Sequence, residues 1–477
     1  MRRASGVLMH ISSLYGDYSS GSFSKSAFEF IDFLSDSGFS FWQVLPFCVT
    51  DDHNSPYASP ASEAGNPYFV DLAALFEQGL LTSDELSSAK QQTPYSCEFE
   101  RLKAERFELL KKASKRADKK AVLSFIDKNP KIQKACEFLS LKEANDKKGF
   151  LEWDKQKSYD EETLFAWQFI QYHFFKQWQG VKDYAASKNV KIIGDLPFYV
   201  SFDSSDVYFN KEDFLLDGDG KMRFKAGVPP DYFAKDGQLW GNPIYDFEKM
   251  QKDGFTFWKE RLKSALNLYD CVRIDHFRAF SDYWSVPADA QTAKEGQWQR
   301  GPREKIIDAL KSVSKEGSII AENLGIIDDD VNALLDYSGF PGMSVFQFGF
   351  DGNFKNPHLI HNFKENLVAY TGTHDNNTLL GFMWELDDKT RRDALSYIGF
   401  VSDNFDKSYD TIIRLMLMSR ANLVVFPIQD LLGYGSDTRL NTPGKAEGNW
   451  SYRITREQLM GLNRERFLNL NRQYSRI

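Results

Sequence analysis

The sequence of 477 residues predicts an α/β fold, a (β/α)8 TIM barrel with two insertions. Three observations predict it. Eight short apolar runs of strand length recur along the chain, and amphipathic stretches with helical spacing separate many of them. The runs are continuously apolar rather than alternating, which is typical of buried parallel strands. Eight strands that alternate with helices are the pattern of a closed parallel barrel.

The eight apolar runs are the predicted barrel strands, and several of them end in a polar or acidic residue. They cover residues 6–12, 39–47, 190–200, 269–277, 317–324, 342–350, 367–374 and 422–429. The catalytic barrel is therefore expected to extend over residues 1–477. Parallel strands of a barrel carry their functional side chains at their carboxyl ends, so the residues that close each run are candidate functional residues.

Two intervals between the runs are too long for simple connections and predict insertions. Residues 72–160, after the second strand, are rich in Lys, Glu and Leu and predict a mostly helical subdomain with a solvated face. Residues 161–187 predict the long barrel helix that leads back to the third strand. Residues 201–255, after that strand, are rich in Gly, Pro, Asp and aromatic residues. That composition predicts a loop-rich, substrate-binding insertion.

Charge and cysteine content exclude several classes of protein. Lys and Arg number 59 against 67 Asp and Glu, a net charge of -8, so a nucleic-acid partner is not expected. The four cysteines are far apart and form no CxxC pair, which favours a reducing, cytoplasmic setting over a disulfide framework or a zinc site. No apolar run reaches 18 residues and the N-terminus lacks a signal-peptide pattern, so neither a membrane anchor nor export is expected.

Aromatic residues make up 15% of the chain. Two interpretations stay open at this point. The rings either pack in the core and on the surface, or some of them line a cleft that stacks the faces of sugar rings.

Acidic residues stand at or just after the ends of four predicted strands: Asp195, Asp275, Glu322 and Asp375. In a barrel these strand ends meet on the face that carries the active site. An ion pair or a helix cap explains any single carboxylate equally well. Four carboxylates on one rim favour a catalytic site.

Asp275 and Glu322 fit glycoside chemistry, because the fourth and fifth strands are neighbours in a barrel. In retaining enzymes two carboxyl groups lie about 5 to 5.5 Å apart, and one attacks the sugar while the other transfers a proton. Arg273 lies two residues before Asp275 on the same strand face and is expected to keep it ionised. Burial among apolar neighbours is expected to raise the pKa of Glu322.

Metal-assisted hydrolysis is the alternative chemistry, suggested by the pairs Asp275-His276 and His374-Asp375. Neighbouring residues on a strand point to opposite faces, so both members of a pair do not easily reach one ion. The sequence has no HExxH motif and no HxH on the first strand, so no metal is expected. In the sugar interpretation His374 binds ring hydroxyls beside Asp375, whereas a structural role explains His276 equally well.

Two stretches rich in aromatic residues, Gly and Pro are expected to overhang the same rim. They are residues 55–68, after the second strand, and residues 226–243, after the third. They contain candidate stacking rings and hydroxyl-binding groups, namely Tyr57, Tyr232, Phe233 and Trp240, and Asp231 and Asn242. Alternatively, the aromatic side chains only fix ordered loops in place.

The motifs VRIDHFR, AENLG, GTHDNNT, SPYASPAS, GVPPDYF and GQLWGNP together resemble the 4-α-glucanotransferases, or amylomaltases, of glycoside hydrolase family 77. The resemblance extends from GVLMHISSL to NTPGKAEGNWSYR and so covers nearly the whole chain. It implies a transferase that moves α-1,4-glucan segments between malto-oligosaccharides or glucans derived from starch or glycogen, without a cofactor. An α-1,4-glucan hydrolase of the amylase type is the alternative.

The resemblance also implies a role for each matching residue. Asp275 is the implied nucleophile, Glu322 the general acid/base, and Asp375 the residue that stabilises the transition state. Arg273 and His374 complete the subsite of the attacked glucose. Further implied glucan-binding residues are Tyr57, Asp195, Trp240 and Asn441, with Pro443, Asn449 and Trp450 as possible contributors.

Overall fold

The computed structural model describes residues 3–230, 235–402 and 404–477. Its strands, in chain order, are β1 Ala4–Leu8, β2 Phe41–Gln43, β3 Lys191–Leu196, β4 Phe224–Val228, β5 Gln238–Pro243, β6 Cys271–Ile274, β7 Asp282–Pro287, β8 Gln297–Arg300, β9 Ile319–Ala321, β10 Gly342–Val345, β11 Leu367–Tyr370 and β12 Leu423–Pro427. Eight of them form a parallel sheet in the order β10-β11-β12-β1-β2-β3-β6-β9. Every predicted barrel strand is present, so the predicted (β/α)8 architecture is confirmed.

Backbone contacts bring the two ends of this sheet together. The N–H of Ala321, at the end of β9, donates to the carbonyl of Pro341, just before β10, at 2.9 Å. The barrel interior is filled by side chains from its strands, including Leu8, Ile193 and Val425. A filled interior leaves the strand ends as the place where a ligand has access.

The helices surround this sheet and their bounds are as follows. They are α1 Lys25–Asp36, α2 Leu72–Glu77, α3 Ser83–Ser88, α4 Phe99–Ser114, α5 Lys119–Asp127, α6 Pro130–Ala144, α7 Glu161–Ser187, α8 Ser205–Tyr208, α9 Phe247–Lys252, α10 Thr256–Leu268, α11 Glu304–Lys311, α12 Asp329–Ser338, α13 Leu379–Glu385, α14 Asp388–Tyr397, α15 Ser408–Met418, α16 Ile428–Leu432, α17 Arg456–Gly461 and α18 Arg464–Gln473. Helix α7 covers the residues predicted for the long barrel helix. In the described part of the chain, no helix combines the length and the apolar character needed to cross a membrane.

A second, antiparallel sheet lies outside the barrel, and the sequence analysis missed it. Its strands follow the order β5-β4-β7-β8. Strands β4 and β5 belong to the interval predicted as loop-rich, while β7 and β8 come from the segment after Asp275. The strand pairing between β4 and β7 joins residues about sixty positions apart, such as Gly227 and Trp284. Local composition carries no signal of such a pairing, because the pattern that defines it is distributed over two segments.

Candidate active site

Neighbouring barrel strands place Asp275 and Glu322 side by side. Asp275 follows β6 directly, and its N–H donates to the carbonyl of Leu196 on β3 at 3.1 Å. Glu322 follows β9 directly, and its N–H donates to the carbonyl of Ile274 at 3.0 Å. The strand pairing thus continues to both carboxylate residues, and the backbone fixes their relative positions.

Arg273 connects two of the carboxylates. Its Nη1 donates to both oxygens of Asp195, at 2.9 and 2.8 Å, and its Nη2 lies 2.8 Å from Oδ1 of Asp275. Burial would lower the pKa of Arg273, but Asp195 and Asp275 outweigh it and hold that pKa above its usual value. Asp195 is buried, whereas the Asp275 side chain is 31% exposed. The predicted pairing of Arg273 with Asp275 is therefore present, and Asp275 is the carboxylate of this group that a ligand can reach.

Tyr57 and His374 cover the other side of Asp195. The hydroxyl of Tyr57 donates to Oδ2 of Asp195 at 2.7 Å, and its ring stacks on His374 with the centroids 4.9 Å apart. Burial raises the pKa of Tyr57, so the hydroxyl keeps its proton and remains a donor. Trp450 is buried and packs against both rings, at 6.0 and 5.9 Å. Trp450 therefore helps to fix the positions of the Tyr57 and His374 rings.

Glu322 is oriented by backbone amides. Its Oε2 accepts from the N–H of His276 and its Oε1 accepts from the N–H of Leu324, both at 2.7 Å. Burial raises the pKa of Glu322 to about 7; the negative charge of Asp275 adds to this increase and Arg273 opposes it. The carboxyl group consequently exchanges its proton near neutral pH, which is what an acid/base catalyst requires.

His276 holds an unusual backbone conformation, with φ 53° in the left-handed region. This conformation directs its N–H at Glu322. Its half-buried ring packs against Trp240, edge to face at 4.8 Å, and desolvation lowers the pKa of His276 to about 4. The structure therefore gives His276 a positioning role, the interpretation that the sequence left open.

Asp375 lies on the loop after β11 and is held by three contacts. Its Oδ1 accepts from Nδ2 of Asn441 at 2.6 Å and lies 3.2 Å from Nε2 of His374, while Nη2 of Arg439 donates to its main-chain carbonyl at 2.6 Å. Burial in the cleft would raise the pKa of Asp375, but His374 and Asn441 outweigh it and lower that pKa to about 2. Asp375 is thus ionised at neutral pH, with 44% of its side chain exposed. Arg439 was missed because nothing in its sequence context marks it.

The remaining predicted binding residues differ in their exposure and in their hydrogen-bond partners. Trp240, on β5, is 37% exposed beside the catalytic face. The Nδ2 atoms of Asn242 and Asn449 donate to the carbonyls of Val200 and Lys445, so both amides serve local structure. The predicted groups Asp231, Tyr232 and Phe233 lie outside the described residues.

A cavity of about 730 Å³ adjoins this site. Its lining includes Tyr57 and Asp195 together with side chains of α5, α6, α7 and α10. Asp275, Glu322 and Asp375 do not line it. Asp275 and Asp375 instead have exposed side chains at the carboxyl ends of the barrel strands.

A family model described as 4-alpha-glucanotransferase matches residues 9–459. The 4-alpha-glucanotransferase of Streptococcus pneumoniae is 41% identical, over 100% of this chain and 98% of its own. The chain belongs to the 4-alpha-glucanotransferase family. The family member of Thermus thermophilus is 37% identical over 95% of each chain.

A solved structure of the same family agrees in fold. The amylomaltase from Streptococcus agalactiae in complex with acarbose superposes with a TM-score of 0.94 and 36% identity, covering 99% of both chains. In its described residues the chain therefore has the fold of that amylomaltase. The predicted family is confirmed.

Proposed function

We propose that this protein transfers α-1,4-glucan segments by retaining double displacement, with Asp275 as the nucleophile and Glu322 as the general acid/base. The family activity, 4-α-glucan transfer, is the activity of the chain. One observation supports the two roles most strongly: the Asp275 carboxylate, paired with Arg273, stands next to the Glu322 carboxyl group, whose pKa burial raises to about 7. A charged nucleophile beside a proton donor is the arrangement that retaining glycoside chemistry uses.

In the first step, protonated Glu322 donates its proton to the glycosidic oxygen while Asp275 attacks C1 of the donor glucose. The bond from C1 to the glycosidic oxygen breaks, and the reducing-end fragment leaves with a new hydroxyl group. The non-reducing segment stays bound to Asp275 as an ester. Arg273 and Asp195 hold the attacking carboxylate in position.

In the second step, the 4-hydroxyl of another glucan or of glucose attacks C1 of the ester. Glu322, now ionised, accepts the hydroxyl proton, and Asp275 leaves as a carboxylate. An α-1,4 bond is thus broken and remade with the same configuration. The same group acts first as acid and then as base, which a pKa near 7 permits.

The other charged groups bind the attacked glucose. Asp375 stays ionised and is placed to accept hydrogen bonds from ring hydroxyls while its charge opposes the positive charge that develops at C1. His374, Tyr57 and Asn441 hold the carboxylates in this arrangement through the contacts described above. Trp240, exposed above His276, offers its ring face to a bound glucose.

Transfer requires that water does not take the place of the acceptor sugar. Residues 226–243, which include β5 with Trp240, are proposed to exclude water or to position the acceptor. Malto-oligosaccharides and glucans derived from starch or glycogen are the proposed substrates. The proposed location is the cytoplasm, since Cys48, Cys97, Cys136 and Cys271 are free, buried thiols.

Incubation with maltotriose alone tests the proposal. Transfer yields glucose together with maltopentaose and longer chains. Glucose and maltose without longer chains would identify an α-1,4-glucan hydrolase instead and would remove the role proposed for residues 226–243.

A further inference from the structure

The small antiparallel sheet presents two tryptophans side by side at its outer edge. Trp284 on β7 pairs directly with Trp298 on β8, the edge strand, so both side chains lie on the same face. Their ring centroids are 5.2 Å apart at an interplanar angle of 71°. Trp298 is 40% exposed, slightly more than Trp240.

Trp284 forms a fixed support for this edge. Its Nε1 donates to the carbonyl of Ala293 at 2.8 Å, and its ring packs with a small apolar cluster that includes Val286. A Cβ at Gly296 would meet the Trp284 ring at 2.2 Å, so a glycine is needed where the chain passes the indole. The Trp284 ring is therefore held in one position beside Trp298.

Arg278 fixes the second ring from the side of the catalytic loops. Its guanidinium lies 4.0 Å from the centroid of the Trp298 ring, a cation-π contact. The same group donates through Nη1 to the carbonyl of Ile326 at 2.6 Å and lies 3.7 Å from Asp328. Arg278 is buried, so it holds the ring in one orientation.

These contacts connect Trp298 to both proposed catalytic residues. Arg278 lies three residues after Asp275, in the 3-10 helix Phe277–Phe280, and Ile326 lies four residues after Glu322. A general acid stands on the leaving-group side of the bond that breaks, because it protonates the leaving oxygen. The loop that follows Glu322, and with it the Trp298 ring, therefore borders the side that receives first the leaving chain and then the acceptor.

We infer that Trp298, supported by Trp284 and Arg278, is an additional binding platform for the acceptor glucan, for glucose units beyond those at the catalytic carboxylates. The inference rests on the proposed function. An exposed, oriented indole offers the flat apolar surface that the C–H face of a glucose ring covers. Exposed Arg300, two residues after Trp298 on the same face of the strand, supplies a polar group for hydroxyls. Only acceptors long enough to reach β8 use this platform, so it makes transfer depend on acceptor length.

Acceptor competition at fixed donor tests this inference. Maltotriose serves as donor. The acceptor is either glucose or maltoheptaose, and the maltoheptaose carries a fluorescent tag on its reducing end. For Trp298→Ala we expect kcat/KM for tagged maltoheptaose to fall about threefold to tenfold, mainly through KM, and the value for glucose to change less than twofold. Trp298→Phe restores most of the loss, because it keeps an aromatic face.

Tyr337→Ala is the matched control, since Tyr337 is an exposed ring, 47% accessible, at the far end of α12. We expect Tyr337→Ala to leave kcat/KM unchanged for both acceptors. Equal losses with glucose and maltoheptaose in Trp298→Ala, or no loss with either, would overturn the inference. So would an unchanged acceptor profile together with a change in the oligomeric state of Trp298→Ala, because that result would identify a protein contact.

A binding measurement separates failure of this inference from failure of the proposed function. Calorimetric titration of Asp275→Asn with maltoheptaose needs no turnover. We expect the double variant Asp275→Asn, Trp298→Ala to bind maltoheptaose about threefold to tenfold more weakly, and maltotriose equally well. If Asp275→Asn binds maltoheptaose with the same affinity with and without Trp298→Ala, the binding platform is rejected, whatever reaction the wild-type protein catalyses.

Discussion

The two carboxyl groups proposed as catalytic, those of Asp275 and Glu322, are held in different ways. Asp275 is paired with the Arg273 side chain, which Asp195 in turn fixes from the buried side. Glu322 instead accepts two backbone N–H groups, from His276 and Leu324. A full positive charge at 2.8 Å stabilises the ionised state of a carboxylate, whereas backbone amides orient a carboxyl group without adding net charge.

One rim of the barrel thus holds the same functional group in two proposed roles. The proposed nucleophile attacks as a carboxylate, and Arg273 is its cationic partner. The proton carrier must gain and lose its proton in each cycle, and burial raises the pKa of Glu322 to about 7, where both states are accessible. Environment, rather than residue type, separates the two roles.

The largest expected effect comes from replacing Asp275, the proposed nucleophile. Asp275→Ala is expected to lower kcat for maltotriose disproportionation by several orders of magnitude, because no covalent intermediate forms. Asp308→Asn, a change in an exposed carboxylate on α11 that accepts from Tyr337, is the control and should leave kcat unchanged. Activity near the wild-type value in Asp275→Ala would remove the nucleophile from this position.

Replacing the proton carrier is expected to have the next largest effect. Glu322→Gln should lower kcat about 10²- to 10⁴-fold, the usual contribution of a general acid/base. The pH profile sharpens the test. Since Glu322 must be protonated in the first step, wild-type kcat/KM should decrease above about pH 7, and the residual activity of Glu322→Gln should lack that decrease. A profile that is the same in both proteins would assign the titration to another group.

The same group gives stability a defined pH dependence. Folded protein keeps the proton of Glu322 up to about pH 7, whereas an unfolded chain releases it near pH 4.3. The folded state binds more protons in this window, so the contribution of Glu322 to stability decreases as pH rises from about 4.3 to 7.

A smaller effect is expected from the backbone that orients Glu322. His276→Asn should retain activity within about tenfold, because Asn tolerates the left-handed conformation, whereas His276→Val should lose more and shift the basic limb of the pH profile. Both variants lose the ring that packs on Trp240. A difference in kcat or pH profile between them therefore reports the backbone conformation at residue 276. Equal kcat values and equal pH profiles in the two variants would show that the conformation at this position does not position Glu322.

The smallest effect is expected at Trp240, which packs against the ring of His276. Trp240→Ala should lower transfer about threefold to tenfold and hydrolysis less, since the ring is proposed to hold the acceptor against competing water. Glucose release and the formation of chains longer than maltotriose are measured in the same reaction. Proportional losses of both would contradict the acceptor role of Trp240.

Much of the fold and of the proposed site could be predicted because the signals are local. Continuous apolar runs predicted the eight barrel strands, and the acidic residues that end them predicted the position of the carboxylates. The pairing of Arg273 with Asp275 followed from strand periodicity, since residues two apart share a face. Long-range features had no such signal: the β4 to β7 pairing, the contact of Arg439 with the carbonyl of Asp375, and the N–H of His276 that donates to Glu322.

The sequence by itself therefore determined the barrel, the family and the identity of the carboxylate residues, because each depends on the pattern within one strand or motif. Tertiary structure decided which carboxyl group has a cationic partner and which has a raised pKa. That difference depends on what surrounds each side chain: the Arg273 guanidinium for Asp275, and burial for Glu322. It also decided that Trp284 and Trp298, fourteen residues apart in sequence, meet at one sheet edge, since only strand pairing brings them together.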